Sequence, residues 1–396
     1  MIIRGLAIMY RPHSLWAFSG SERRFINISK YLKNYNISFD VIEPYPSLNS
    51  ILNTSYKSHI IKISNNVYIN LIEWLFLGVM KIFKLNKKQY DFIYITNNNI
   101  YNLLLGILAS RILALPSIVV VHHLRWIDYT NKHKYANFNI KRTYMLMRKW
   151  GLNIIASLIR ALGAYIENIL LKKVNICIAV SNTVASQLNK LGCKNIYVSG
   201  NIINEDFKYE VSNKHIKKYD AIYIGRLDEG KGILDLLDVW NIVIQRLPEA
   251  KLIIIGKGFL YKKAKSIIKK KGLEKNIYLL GFVRDQELKS FIVSSKIFVT
   301  LSVIEGFGLA IGEALKYGIP VICYDIPTLR EIYGNCNNVI FIRLGDKQKV
   351  ADEIIKFLRG SSLKVNHNLP NIFHSNEVIK KEYNAIKSVL VKGEMI

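Results

Sequence analysis

Short apolar runs alternate with longer amphipathic segments along most of the 396 residues. Runs dense in Ile, Val, Leu and Phe at Ile2–Met9, Phe39–Ile42, Phe92–Thr96, Ile118–Val121 and Ile176–Val180 read as strands buried on both faces. Segments with helical spacing begin near Tyr68, Tyr101 and Asn182, and another carries Phe25, Ile28 and Leu32. That last helix follows a loop, Arg11 to Gly20, and Ser19-x-x-Glu22 fits a capping box at its start. A polar stretch, Asn204–Tyr219, reads as a linker. A second alternation follows, with strands at Ala221–Ile224, Leu252–Ile255, Ile277–Leu280, Ile297–Thr300 and Val321–Tyr324. After a polar stretch at Ser361–Ser375 comes a last helix, about Glu377 to Leu390. This alternation predicts α/β layers with parallel sheets, arranged as two Rossmann-like domains facing each other across a cleft. The expected units are 1–204 and 205–375, followed by a helical segment, 376–396. Ligands of open parallel sheets bind beyond the strand C-termini, so the cleft is where chemistry is expected.

The apolar segments do not read as membrane spans. Gly151–Leu171 is long enough but holds Arg160 and Glu167, and Leu103–Val121 holds Arg111 and Pro116. Leu162–Leu171 leads straight into a strand and is expected to be core. The N-terminal run is too short and strand-like for a signal peptide. Cys177, Cys193, Cys323 and Cys336 show no metal-ligand spacing, and two of them sit in strand-like runs, which suits a reducing cytoplasm.

Charge narrows the partners. With 56 basic and 29 acidic residues the net charge is +27, which suits nucleic acid, an anionic membrane or phosphorylated substrates. A lysine-rich solvated surface would account for it equally. The stretch 132–173 holds nine basic residues (132, 134, 141, 142, 148, 149, 160, 172, 173) against Glu167 alone. Phe138, Tyr144, Met145, Met147, Trp150 and Ile154 are interleaved with them. This pattern suits contact with an anionic membrane surface, or a core helix with a basic edge. A basic nucleic-acid-binding protein is the rival of another class, but no helix-turn-helix, zinc-finger or aromatic-platform signature is present, and no nucleic-acid partner is expected.

The chemistry concentrates in Ser302-Val-Ile-Glu305-Gly306-Phe307-Gly308-Leu309, which joins a buried strand to a helix carrying Glu313. Glycines let a ligand approach the main chain, and the helix start offers free N–H groups and a positive dipole end. Backbone donors for phosphates framed by carboxylates for hydroxyls suit a nucleotide sugar. Earlier, Gly225-Arg226-Leu-Asp-Glu-Gly230-Lys231-Gly232 nearly matches a phosphate-binding P-loop, but Gly232 replaces the hydroxyl that would hold Mg²⁺. Gly256-Lys-Gly258 is half a dinucleotide fingerprint. In the first half, His122 and His123 end the strand Ile118–Val121 on the cleft side.

Glu305 and Glu313, with Ala314, Gly318, Pro320 and Val321 behind them, resemble the E-x7-E signature of family-4 retaining glycosyltransferases of the GT-B fold. The resemblance is strongest over 219–333. It implies a first domain that binds the acceptor, a second that binds a nucleotide-diphosphate sugar, and a last helix crossing back to the first domain. Arg226 and Lys231 would hold the donor diphosphate, with backbone amides of Gly306, Phe307, Gly308 and Leu309. Glu313 would take the ribose hydroxyls, Glu305 the sugar, and His122 the sugar or acceptor. Ser19-Gly20-Ser21-Glu22 resembles a G-G-x-E loop near the diphosphate, with only Gly20 retained. Gly200-Asn201-Ile202-Ile203-Asn204 departs from P-N-G-V-D, so no role is carried onto it. The implied activity is retaining transfer of a hexose to a hydroxyl acceptor, a glycan or lipid-linked molecule, without metal or cofactor. The implied location is the cytoplasm, peripheral on the inner membrane face. A nucleotide-sugar epimerase of the same fold is the enzymatic alternative.

Overall fold

The computed structural model describes residues 2–10, 20–47, 56–64, 69–124, 140–149, 153–203, 217–228, 230–360 and 375–393. The Arg11–Ser19 loop with the Ser19 half of the capping box lies outside the described residues. So do most of the expected linker, the 361–374 stretch, and Lys132, Lys134, Phe138 and Trp150 of the basic stretch.

Two all-parallel sheets form the chain. The first holds β1 (Ile3–Ile8), β2 (Ile37–Pro44), β3 (Lys57–Ile61), β4 (Phe92–Ile95), β5 (Ser117–Val121), β6 (Ile176–Ala179) and β7 (Ile196–Val198), in the order β3-β2-β1-β4-β5-β6-β7. The second holds β8 (Tyr219–Ile224), β9 (Leu252–Ile255), β10 (Ile277–Gly281), β11 (Ser295–Thr300), β12 (Val321–Tyr324) and β13 (Val339–Ile342), in the order β10-β9-β8-β11-β12-β13. Strand order reverses between β1 and β4 and again between β8 and β11, the two places where a Rossmann-like sheet opens a crevice. Central strands are apolar throughout because helices cover both faces. All of β5 is buried, and it pairs with β6 from Ile118↔Ile176 to Val121↔Ala179.

The helices of the first half are α1 (Gly20–Leu32), α2 (Asn70–Phe83), α3 (Ile100–Leu113), α4 (Ile140–Lys149), α5 (Ile154–Leu171) and α6 (Asn182–Leu191). Asn99 starts α3, its side chain accepting from the Asn102 amide at 2.8 Å. α3 packs between α2 and α5. Gly78 allows the close approach of α2, since a Cβ there would lie 2.6 Å from Leu105 Cδ2.

The expectation that Leu162–Leu171 is core needs correction. Ala161, Ala164, Leu170 and Leu171 are buried, but Leu162, Tyr165, Ile166 and Ile169 stand exposed. The polar Glu167 and Asn168 lie on the buried side with the first four, so the side of the helix that meets water is the apolar one.

The second half adds α7 (Ile233–Arg246), α8 (Tyr261–Lys270), α9 (Asp285–Val293), α10 (Leu309–Lys316), α11 (Pro327–Tyr333) and α12 (Lys347–Leu358). A final helix, α13 (Ser375–Gly393), lies on α1 and the β5–β7 side of the first sheet. Its Glu382 is fully buried and accepts from Arg24 Nη2 at 2.6 Å, while the Tyr94 hydroxyl donates to the other carboxylate oxygen. Arg24 also donates to Ser199 Oγ at 2.6 Å. Burial opposes the charge on Arg24, but the facing carboxylate outweighs it and raises its pKa.

Candidate functional site

The loop after β8 is folded down onto the end of β11. Gly232 has φ +69°, and a side chain there would run into the Leu301 backbone. The amides of Val303 and Ile304 donate to the Gly230 carbonyl at 2.9 and 3.3 Å. This close seating brings Lys231 Nζ to 2.8 Å from Glu305 Oε1, with 19% and 16% of the two side chains exposed. The pair is sheltered yet reachable from the cleft. Beneath the loop the Tyr223 hydroxyl points to the carbonyls of Arg226 and Lys231, at 3.2 and 3.4 Å. Burial first, and then nearby Glu305, push its pKa up, so it remains a proton donor to the loop.

Arg226 stands on the outer side, 56% exposed, paired with Asp228 at 3.1 Å. The other oxygen of Asp228 accepts from the Phe259 amide at 3.0 Å, tying the Gly256–Gly258 turn to the same loop.

After Glu305 the chain passes through Gly306, Phe307 and Gly308 into α10. Gly308 caps that helix with φ +81°, and the Tyr333 hydroxyl donates to its carbonyl at 2.8 Å. The leading amides of an α-helix have no partner within it, so this end presents donors to the cleft. Gly306 lies directly on the first half. A Cβ there would overlap the His122 carbonyl oxygen and stand 2.6 Å from its carbon. Glu305, Lys231, Gly306 and His122 therefore meet at the seam between the sheets.

His122 is held at the end of β5 by its amide, which donates to Asn98 Oδ1 at 3.1 Å. Its Nε2 is shielded from water and has no hydrogen-bond partner among the described residues. Burial, then the nearby Arg24 charge, push its pKa down to about 3, so the ring is neutral. Gly20, at the start of α1, abuts α10: a Cβ there would be 3.1 Å from Leu309 Cδ1. One turn on, Arg23 Nη1 stands 3.8 Å from Glu313 Oε1.

Sequence reasoning missed Arg23 and Glu331. The Glu331 carboxylate on α11 accepts from the amides of Asn182 and Thr183 at 2.7 Å each and from Thr183 Oγ1 at 2.5 Å, capping α6 from the other half. Both contacts join distant stretches, and neither residue belongs to a local motif. Among the described residues no group of three or more His, Cys, Asp or Glu could hold a metal ion.

Two family profiles tile the chain: Glycosyltransferase Family 4 over 18–207 and Glycosyl transferases group 1 over 204–371. The chain is similar to the 2-deoxystreptamine N-acetyl-D-glucosaminyltransferase of Niallia circulans, 24% identical over 73% of this chain and 72% of that one. It is 31% identical to the poly(glycerol-phosphate) alpha-glucosyltransferase of Bacillus subtilis, over 38% of this chain and only 22% of the length of that relative. Its fold matches that of Anabaena HepE in complex with UDP and glucose, with a TM-score of 0.70 and 16% identity over 98% of this chain and 99% of that one. Two parallel-sheet units, the loops that meet between them and both profiles agree: the chain belongs to the group 1, family-4 glycosyltransferases of the GT-B fold.

Proposed function

We propose that the chain is a retaining, metal-independent glycosyltransferase that moves a hexose from a nucleotide-diphosphate sugar to a hydroxyl of a glycan or lipid-linked acceptor. The observation that carries this reading is the Lys231–Glu305 pair at the seam, 2.8 Å apart beside the α10 N-terminus. In this reading Lys231, Arg226 and the amides of Gly308 and Leu309 take the diphosphate. As the glycosidic bond breaks, negative charge grows on that leaving group, and fixed cations and amides stabilise it without reorganising. Glu305 orients Lys231 and supports the sugar electrostatically, and Glu313 holds the ribose hydroxyls. Neutral His122, with a shielded and unsatisfied ring nitrogen, suits a hydrogen bond to sugar or acceptor. Gly20 and Gly306 let the two halves close around the donor.

Retention follows if the leaving phosphate itself takes the acceptor proton on the same face of the sugar, which needs no carboxylate nucleophile. The working location is the cytoplasm, on the inner membrane face, with 132–173 toward anionic lipid.

Calorimetry across nucleoside diphosphates and their sugars tests the donor site. Lys231→Ala should weaken donor binding by roughly ten- to a hundredfold and slow turnover. Unchanged binding and kinetics would remove the diphosphate role. Release of free epimerised donor without acceptor would mark an epimerase instead. Tight duplex binding with a steep salt slope and no donor turnover would mark a nucleic-acid-binding protein.

A further inference from the structure

More than half of the large apolar side chains that stand exposed among the described residues lie on α2, with its N-cap Ile69, and on α5. On α2 they are Ile72, Phe76, Met80 and Phe83, spaced 4, 4 and 3 residues apart and hence on one helix face. The opposite side of α2, with Trp74, Gly78 and Ile82, is the one that meets the core. On α5 Ile155, Ile159, Leu162 and Ile166, spaced 4, 3 and 4 residues apart, likewise share one face, with exposures from 41% to 70%. Between them α3 touches both helices and is apolar nearly all round. On α3 the outward apolar residues Leu104, Leu108 and Ile112 are half-buried, so α2 and α5 carry the two exposed apolar stripes of one helical layer, and stripes of this size mark an interaction site.

Charge identifies the occupant. Beyond the C-terminal end of α2 stand exposed Lys84, Lys87 and Lys88, and beyond that of α5 stand exposed Lys172 and Lys173. The acidic residues of these helices face inward: Glu73 accepts from the Ser64 amide at 2.6 Å, and Glu167 is buried against Asn98. An apolar face rimmed by cations, with no exposed carboxylate among the described residues of α2, α3, α4 and α5, complements an anionic lipid surface. A second copy of this chain is the other candidate occupant, and the solution mass in the test below separates it from a bilayer. Among the described residues no helix is long and apolar enough to cross a membrane.

We propose that the α2–α3–α5 face docks on an anionic bilayer, with α2 and α5 in the headgroup plane and the lysines at their ends on lipid phosphates. This deepens the membrane-side placement given above and shifts its weight from 132–173 to α2 and the full length of α5. It does not depend on the sugar chemistry.

Flotation of the full chain with phosphatidylcholine vesicles, with and without phosphatidylglycerol, tests it in the absence of donor. The wild type should float with the anionic vesicles and less so at high salt. A Phe76→Ser, Phe83→Ser, Ile155→Ser, Ile159→Ser variant should bind on the order of 100-fold more weakly, with unchanged circular dichroism and melting. Lys84→Gln with Lys87→Gln and Lys172→Gln should weaken binding and blunt its salt dependence. A wild type that stays in solution, or a serine variant that floats equally well, would overturn the proposal. So would light scattering that finds a dimer which the serine variant dissolves. Failure here with intact donor binding leaves the transferase reading standing, and vesicle binding without donor binding does the reverse.

Discussion

Replacing Gly306 by alanine would put a methyl group where the second half rests on the end of β5. The new Cβ would overlap the His122 carbonyl oxygen and lie 2.6 Å from its carbon, where ordinary contact begins at 3.4 Å. The oxygen is nearer still, at 1.4 Å, and backbone stands on both sides of this contact, so no side chain can swing away and one wall must retreat by roughly 2 Å. A displacement of even half that size at a reacting centre costs about 100-fold in rate, near 2.7 kcal/mol on the barrier, so the loss should be at least that. The clash lies between two domains, so parting them relieves it, and urea unfolding should change by less than about 1 kcal/mol. Gly163→Ala is the matched control, because nothing lies within 4 Å of a Cβ there. The assay is initial donor turnover with acceptor, with small-angle scattering to follow the separation of the halves. If Gly306→Ala turns over donor as fast as Gly163→Ala and wild type, the seam need not close for the reaction.

Glu382→Ala strands Arg24 in the core and should cost about 3–5 kcal/mol in urea unfolding, whereas Arg24→Met with Glu382→Leu should recover most of it. A loss below about 1 kcal/mol for the single variant would show that α13 is not anchored by this pair. His122 sets a pH dependence. Its folded pKa, about 3, lies below the ordinary 6.5, so the unfolded chain takes up the proton first as pH falls. The contribution is whole above pH 6.5 and erodes as pH drops toward 3. His122→Asn should flatten the slope of stability between about pH 4 and 6, and an unchanged slope would contradict a buried neutral ring.

Central strands were legible because burial on both faces demands unbroken apolar runs. Leu252–Ile255 and Val321–Tyr324 match the expected bounds. The strands that escaped notice, Lys57–Ile61, Ile196–Val198 and Val339–Ile342, all lie at sheet edges. An edge strand pairs on one side only and tolerates polar or short sequences, so Lys57-Ser-His-Ile-Ile61 carries little periodic signal.

The loops bearing Lys231 and Glu305 could be found from glycine placement and charge, since each belongs to one contiguous stretch. The match of Gly306 to the His122 carbonyl could not, because it depends on how two sheets meet. The apolar faces of α2 and α5 were hidden for another reason. On α5 the polar Ser157, Glu167 and Asn168 lie on the buried side, so the usual rule that polar residues mark the water-facing side points the wrong way.

The Glu331 cap on α6 has a mechanical consequence. When the two halves swing apart, the leading turn of α6 loses a carboxylate it cannot replace from its own segment, and Ser181 alone remains, accepting from the Val184 amide at 3.3 Å. Opening is therefore coupled to the loss of that cap, and every gape of the clamshell is written into the solvent exchange of the Asn182 and Thr183 amides.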